Sequence, residues 1–113
     1  MSKYGSTIVW EDGYCFRSKK EYNHYKTLQA LQRVGAISEL EVHPSFVLQD
    51  GFQDKMTGVM HREIKYEADF SYREPGNNHL VVEDVKGMYT KVFILKMKMF
   101  RYKYPDLDFR IIK

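Results

Sequence analysis

The fold of this chain is decided by one short stretch, Leu80-Val81-Val82-Glu83-Asp84-Val85-Lys86-Gly87. Its apolar, β-branched residues predict a strand that ends at the glycine. Successive side chains of a strand point to opposite faces, so Asp84 and Lys86 share one face and Glu83 points to the other. A carboxylate and an ammonium group on a strand that otherwise resembles core are costly to bury, which marks this strand as a candidate functional element.

The residues before this strand predict its antiparallel partner. From 63 to 72, apolar or aromatic residues alternate with others, as in a half-buried strand, and residues 75–78 (Pro-Gly-Asn-Asn) predict a turn. A turn centred in that cluster places Asp69 opposite Asp84 on one face. Opposed like charges destabilise a sheet, and a divalent cation between them would remove the penalty. Two carboxylates plus water suit Mg²⁺ or Mn²⁺.

Capping patterns predict two helices on either side of these strands. Ser18 and Glu21 have the spacing of a capping box, and the helix that they start is expected to end at Val34, before a glycine. Thr90 can cap a second helix that ends at about Tyr104. Helical spacing predicts inward stripes on both helices: Tyr25, Leu28 and Leu31 on the first, and Phe93, Met97, Phe100 and Tyr104 on the second.

The rest of the chain predicts short elements. Residues 37–48 indicate a strand or bent pair with Pro44 at an edge or bulge, residues 50–58 a polar loop, and residues 108–113 a final strand. A hairpin around Asp12-Gly13 is expected near the start, with residues 1–12 as a peripheral arm. The predicted order is helix, two or three strands, helix, strand, in a single mixed α/β domain over residues 1–113.

Composition excludes several classes of protein. The 113 residues suit one domain, and 43% apolar with 29% charged residues is ordinary for a globular protein. The net charge of +3 is too mild to identify a nucleic-acid binder. No apolar run reaches the length of a membrane span, and the first residues do not resemble a secretory signal. Cys15 is alone, which fits the reducing cytoplasm, and the scattered histidines do not predict a structural zinc site.

Glu21 adds a third acid to Asp69 and Asp84. It precedes Tyr25 by four residues and Leu28 by seven, so it lies on the inward stripe of the first helix and can face the sheet.

An acid on an early helix, an Asp in a strand, (Asp/Glu)-x-Lys in the next strand and then a basic helix together resemble the PD-(D/E)XK nuclease superfamily. The predicted element order is similar to its αβββαβ core, the restriction-endonuclease-like fold with a mixed sheet. More narrowly, the chain resembles a family of small phage-encoded proteins related to transposon-end nucleases and Holliday-junction resolvases. The segments that carry this narrower resemblance are Ser18-Lys19-Lys20-Glu21-Tyr22, Glu41-Val42-His43-Pro44-Ser45-Phe46, Tyr66-Glu67-Ala68-Asp69-Phe70 and Val82-Glu83-Asp84-Val85-Lys86-Gly87.

The resemblance implies metal-assisted hydrolysis of phosphodiester bonds. Asp69 and Asp84 would hold Mg²⁺ or Mn²⁺ with the backbone carbonyl of Val85, and Glu21 would bind the metal or its water. Lys86 would activate the attacking water and help neutralise the phosphate. The expected catalytic set is therefore Glu21, Asp69, Asp84 and Lys86. Among the adjacent acids Glu83 and Asp84, only the strand-face argument favours Asp84.

Basic residues of the second helix predict a surface that contacts the DNA backbone. These residues are Lys91, Lys96, Lys98 and Arg101, with Lys103 beside them. The alternative is a solvated helix face whose lysine stems cover the core. Glu21 could likewise serve only as a helix cap, Asp69 could face solvent, and Asp84 with Lys86 could form a surface ion pair.

The sequence thus favours a metal-dependent endodeoxyribonuclease from a phage, acting in the bacterial cytoplasm on branched or junction DNA. A homodimer is expected, because resolving a junction needs two symmetric cuts, and phage replication or recombination proteins are candidate partners. One alternative is a non-catalytic DNA-binding module of the same fold. Another is a small phage protein that binds a host or replication protein.

Overall fold

A computed structural model describes residues 7–113 of the chain. Residues 1–6, and with them half of the predicted arm, lie outside the described residues. The described part is a mixed α/β structure with two helices, α1 and α2, and mixed strand pairing. The helices are α1 (Lys19–Arg33) and α2 (Lys91–Lys103). The main sheet consists of four strands, β3 (Ser38–Val42), β8 (Phe70–Arg73), β9 (Val81–Val85) and β10 (Asp108–Ile112), which lie side by side in that order.

The strand carrying Asp84 lies in the interior of this sheet. β9 pairs antiparallel with β8 on one side and parallel with β10 on the other, and β8 pairs antiparallel with β3. Along the chain, the main sheet and the helices therefore follow the order α1, β3, β8, β9, α2, β10. The parallel pair requires a crossover, which α2 provides.

Both helices begin where the sequence predicts. The Oγ atom of Ser18 accepts a hydrogen bond from the Glu21 N–H at 3.1 Å, and the hydroxyl of Thr90 accepts one from the Phe93 N–H at 3.1 Å. These bonds satisfy N–H groups that the first turn of a helix leaves without partners. The predicted inward stripe on α1 is wrong at its last position, because Leu31 is 38% exposed. Leu31 lies in the last turn of the helix, after the buried residues Tyr25 and Leu28.

The core consists of two clusters that lie on opposite faces of the main sheet. Val81 belongs to one cluster and Val82 to the other, as expected for neighbouring residues of a strand. The cluster on the α1 side contains Phe16, Tyr25, Leu28, Ile37, Phe70, Tyr72 and Val81. The cluster on the α2 side contains Leu48, Tyr66, Ala68, Val82, Phe93, Phe100 and Phe109. Each helix thus covers one face.

Two chain breaks shape the edge where the site lies. Residues 37–48 form the bent pair that the sequence allows, β3 followed by β4 (Ser45–Gln49). The single strand predicted for residues 63–72 is wrong: β7 (Ile64–Glu67) pairs with β4, and β8 starts after a break at Ala68-Asp69. The Ala68 N–H donates to the Pro44 carbonyl at 3.0 Å, and the His43 N–H donates to the Asp69 carbonyl at 2.9 Å. These two bonds hold the breaks together.

Short hairpins lie outside the main sheet. The loop predicted for residues 50–58 contains β5 (Phe52–Gln53), which pairs with β6 (Met60–His61). The hairpin predicted around Asp12-Gly13 is present as β1 (Val9–Glu11) and β2 (Tyr14–Phe16). The Tyr25 hydroxyl donates to Asp12 at 2.8 Å, so the described part of the predicted arm is tied to α1.

None of the helices in residues 7–113 has the length and apolar character needed to cross a membrane.

Candidate functional site

A cleft of about 520 Å³ opens where the start of α1, the two chain breaks, the end of β9 and the start of α2 meet. It contains all four of the predicted catalytic residues. Its lining residues are Arg17, Ser18, Glu21, His43, Tyr66, Glu67, Asp69, Asp84, Val85, Lys86, Thr90, Val92, Phe93 and Lys96.

Glu21 contacts a histidine at the centre of this cleft. Its side chain is buried, with 5% of the residue exposed. Oε1 lies 2.9 Å from Nε2 of His43, and Oε2 accepts a hydrogen bond from the Arg17 N–H at 3.2 Å. Glu21 therefore supplies an N–H for the Ser18 cap and also turns its carboxylate toward the sheet. The sequence leaves open whether Glu21 serves as a helix cap or as a site residue, and this geometry is compatible with both.

Glu21, His43 and Asp69 form a compact donor cluster. One side-chain ligand atom from each lies within 4.8 Å of the others. His43 reaches this position from the break between β3 and β4, where its φ of 56° is in the left-handed region. Asp69 reaches it from the break between β7 and β8. Two carboxylates and an imidazole are donor groups that bind divalent metal ions.

Asp69 departs from the regular ladder of β8 and β9. The ladder pairs Phe70 with Glu83, which is the register predicted from the turn. Beyond it, the Asp69 N–H donates to the Glu83 carbonyl at 3.0 Å, which is one residue out of that register. The Asp69 carboxylate then accepts a hydrogen bond from the Val85 N–H at 2.6 Å. This break directs Asp69 toward Glu21 and His43 as well as toward the end of β9.

Asp84 is buried in the wall of the same cleft, with 2% of the residue exposed. Its Oδ2 atom accepts a hydrogen bond from the Tyr66 hydroxyl. Nζ of Lys86 lies 3.2 Å from Oδ1, but without hydrogen-bond geometry. Among the described residues, Oδ1 of Asp84 is the buried side-chain oxygen or nitrogen without a hydrogen-bond partner. The Lys86 ammonium offsets the charge of this oxygen, which still has room to accept a hydrogen bond or to bind a metal ion.

The electrostatics of the cleft favour a bound cation. The pKa of Asp69 is raised to about 8, first by burial and then by the neighbouring carboxylates of Asp84 and Glu21. The Val85 N–H and Lys86 oppose this rise in pKa without overcoming it. Asp84 and Glu21 therefore disfavour the charged form of Asp69 in the metal-free protein, and a divalent ion would offset that effect.

Lys86 is fixed at the mouth of the cleft. Its Nζ lies 4.2 Å from the centroid of the Phe93 ring, which is a cation–π distance. The Lys20 Nζ lies 3.5 Å from the Lys86 carbonyl. The Lys86 ammonium is thus held between Asp84 and an aromatic face, where it can meet an anionic group entering the cleft.

Glu83 lies on the other face of β9. It is 3% exposed, its Oε1 is 2.6 Å from Nε2 of His24, and its Oε2 accepts a hydrogen bond from the Tyr72 hydroxyl at 2.6 Å. These partners belong to the α1 side of the sheet. The two adjacent acids therefore have separate environments, and Asp84 is the one that lines the cleft.

The predicted basic residues of α2 do not all share one location. Lys96 lines the cleft. Lys98 lines a second groove with Tyr102 and Lys103, and the Arg101 guanidinium lies 4.9 Å from the centroid of the Phe109 ring. Lys91 and Lys98 are both exposed and, seven residues apart, share one side of the helix. This side is separate from the one that faces the cleft.

Among the cleft residues that were not predicted as site residues, His43 and Tyr66 have side chains that contact the predicted acids. His43 lies between two strands, and its spacing in sequence from Glu21, Asp69 and Asp84 gives no metal-ligand signature. Its position before Pro44, at a predicted bend, was the one sequence feature that set it apart. Tyr66 matches the inward positions of an alternating strand, so its hydroxyl bond to Asp84 could not be separated from core packing.

A protein-family model matches residues 1–113 and is described as a protein of unknown function, DUF1064. The chain belongs to the DUF1064 family. Searches of curated proteins and of solved structures give no match. The family membership assigns no activity, so the interpretation of the cleft depends on its geometry.

Proposed function

We propose that this chain is a metal-dependent endodeoxyribonuclease that hydrolyses phosphodiester bonds in DNA. The observation that carries the proposal is the meeting of Glu21, Asp69 and Asp84 in one cleft with Lys86 at its mouth. Acids this close together are unfavourable for folding alone, as the raised pKa of Asp69 indicates. Such arrangements cluster at functional sites.

The residues of the cleft fit a divalent metal ion. Glu21, His43 and Asp69 offer donor atoms close together, and Oδ1 of Asp84 lacks a hydrogen-bond partner. A bound Mg²⁺ or Mn²⁺ would supply Lewis-acid chemistry by acidifying a water molecule and offsetting charge on a phosphate. The resemblance implies that Asp69, Asp84, the Val85 carbonyl and Glu21 hold the ion, and His43 is a further donor beside them.

The basic groups of the cleft suit a phosphate. Lys86 can offset the negative charge that develops on the phosphate oxygens during attack. Lys96 and the N-terminus of α2, where Thr90 is the cap, line the same cleft. Helix N-termini favour anions. A scissile phosphate would therefore lie between Lys86 and the first turn of α2.

The DNA on either side of that phosphate would contact the exposed lysines of α2, Lys91 and Lys98, through its backbone. These contacts carry no base information, so we propose recognition of DNA structure, such as a branch or junction, rather than of sequence. The order α1, β3, β8, β9, α2, β10 supports the restriction-endonuclease-like αβββαβ core. A homodimer, a phage origin, action in the bacterial cytoplasm and partners in phage replication or recombination belong to the same proposal.

The test is a cleavage panel of linear, nicked, flapped and four-way DNA with Mg²⁺, Mn²⁺ or EDTA. We expect cleavage of branched DNA with a metal ion and none with EDTA. Metal-independent binding of DNA without cleavage would favour the non-catalytic DNA-binding module. No binding of any DNA form would favour a protein-binding role.

A further inference from the structure

The ligand cluster in the cleft contains a nitrogen donor. We propose that the cleft binds a divalent first-row transition-metal ion in preference to Mg²⁺, with Glu21, His43 and Asp69 as ligands. This inference deepens the proposed function, and it rests on the proposal that the cleft binds a metal ion. The sequence suggested only oxygen ligands, which do not separate Mg²⁺ from Mn²⁺.

The chemistry of imidazole decides the preference. Mg²⁺ requires oxygen ligands and gives up its water reluctantly, whereas imidazole suits transition-metal ions. A ring nitrogen of His43 lies within 4.8 Å of a carboxylate oxygen of Glu21 and of Asp69. A metal ion held by these three groups would bind both His43 and Glu21, and these bonds would replace the direct contact between the two side chains.

The His43 ring is held in position before any ion binds. The rings of His43 and Phe16 have centroids 6.0 Å apart, and those of His43 and Tyr14 are 6.4 Å apart at 89°. The Arg17 N–H fixes the other oxygen of Glu21 at 3.2 Å. Groups held in this way lose little conformational entropy when they bind a metal ion.

A separate observation also points to a cation. Asp84 does not belong to the cluster, yet it lines the same cleft, and its buried Oδ1 has the Lys86 ammonium 3.2 Å away but no hydrogen-bond partner. A water molecule bound to the metal ion can donate to that oxygen.

Metal binding can be measured without DNA. The free Mn²⁺ signal in electron paramagnetic resonance gives the Kd for Mn²⁺, and competition gives that for Mg²⁺. We expect wild type to bind Mn²⁺ at least about tenfold more tightly than Mg²⁺, and His43→Asn to remove most of that ratio by weakening Mn²⁺ binding. Asn tolerates the φ of 56° at this position. His24→Asn, which removes the other histidine paired with a buried Glu, should leave the ratio unchanged.

A second measurement needs no variant. Pulsed electron paramagnetic resonance of Mn²⁺-loaded wild type should show coupling to a directly bound imidazole nitrogen. Equal affinity for the two ions, or tight Mn²⁺ binding without nitrogen coupling, would overturn the inference even if the protein cleaves DNA. Nitrogen coupling and a Mn²⁺ preference in a protein that cleaves no DNA would support the inference and contradict the proposed nuclease.

Discussion

Nε2 of His43 lies 2.9 Å from Oε1 of Glu21, although 22 residues separate them in the chain. The contact exists because the chain breaks between β3 and β4 and again between β7 and β8, and backbone hydrogen bonds join these two breaks. The same breaks direct Asp69 into the cleft, beside the end of the strand that carries Asp84. The candidate site is therefore built at a bend shared by two strands, against the first turn of α1.

The pH dependence of stability should report the half-buried acid Asp69. Its pKa is raised to about 8, whereas an aspartate in an unfolded chain titrates near about 3.9. Between these pH values the folded state binds more protons, so stability in EDTA should fall as the pH rises from about 4 to about 8. Urea unfolding across this range should show the decline in wild type and a much smaller one in Asp69→Asn.

The matched control for this prediction is Asp50→Asn, which changes an exposed aspartate. Its pH profile should follow that of wild type. An Asp69→Asn profile that also follows wild type would contradict the account, because the acid would then have no unusual environment.

The Tyr66 hydroxyl should stabilise the metal-free protein through Asp84. Tyr66→Phe removes the donor to Oδ2 and leaves a buried carboxylate with less compensation. We expect the free energy of unfolding in EDTA to fall by about 1–3 kcal/mol. Tyr104→Phe, which removes a hydroxyl bond to the Val47 carbonyl, tests whether the loss depends on the charged partner: its cost should be smaller, about 1 kcal/mol. Equal losses would contradict this prediction, because the bond to Asp84 would then be worth no more than a bond to a backbone carbonyl.

Lys86 should act on the chemical step. Lys86→Ala removes the ammonium at the mouth of the cleft, and we expect single-turnover cleavage to slow by about 10²–10³-fold or more, with Mn²⁺ affinity largely kept. Lys65→Ala is the matched control, since its exposed ammonium pairs with Glu63 at 3.1 Å and does not line the cleft. A Lys86→Ala protein as active as wild type would exclude Lys86 from catalysis.

Much of the fold follows from local signals. The Ser18 and Thr90 caps are confirmed because a cap needs only a side chain and the next turn of backbone. The turn that sets the register of β8 against β9 is confirmed for a similar reason. From that register and the strand period, the separate faces of Glu83 and Asp84 could be predicted.

The bends could not be predicted in the same way. The alternation of apolar with other residues continues through Ala68 and Asp69, although the chain leaves the β4–β7 pair there and enters the β8–β9 pair. The bonds that fix this break come from His43 and Pro44, which are distant in sequence. Because His43 enters the site only through that pairing, no local pattern identifies it as a ligand.

DNA binding should be electrostatic and depend on the exposed side of α2. Log affinity should fall linearly with log salt, and Lys91→Ala or Lys98→Ala should each reduce the slope by up to about one. Fluorescence anisotropy with labelled junction DNA and EDTA measures this. Lys26→Ala, whose ammonium pairs with Glu11 at 2.8 Å, should leave the slope unchanged. An affinity independent of salt would contradict a backbone-binding surface.

Single-turnover cleavage of a labelled four-way junction tests the central claim most directly. Wild type, Asp69→Asn, Asp84→Asn and Glu83→Gln would be compared with Mn²⁺ and with EDTA. We predict metal-dependent cleavage by wild type, a loss of at least about 10³-fold in each aspartate variant, and nearly full activity in Glu83→Gln, whose side chain faces His24 and Tyr72. Cleavage that survives both aspartate substitutions, or is lost only in Glu83→Gln, would contradict the account.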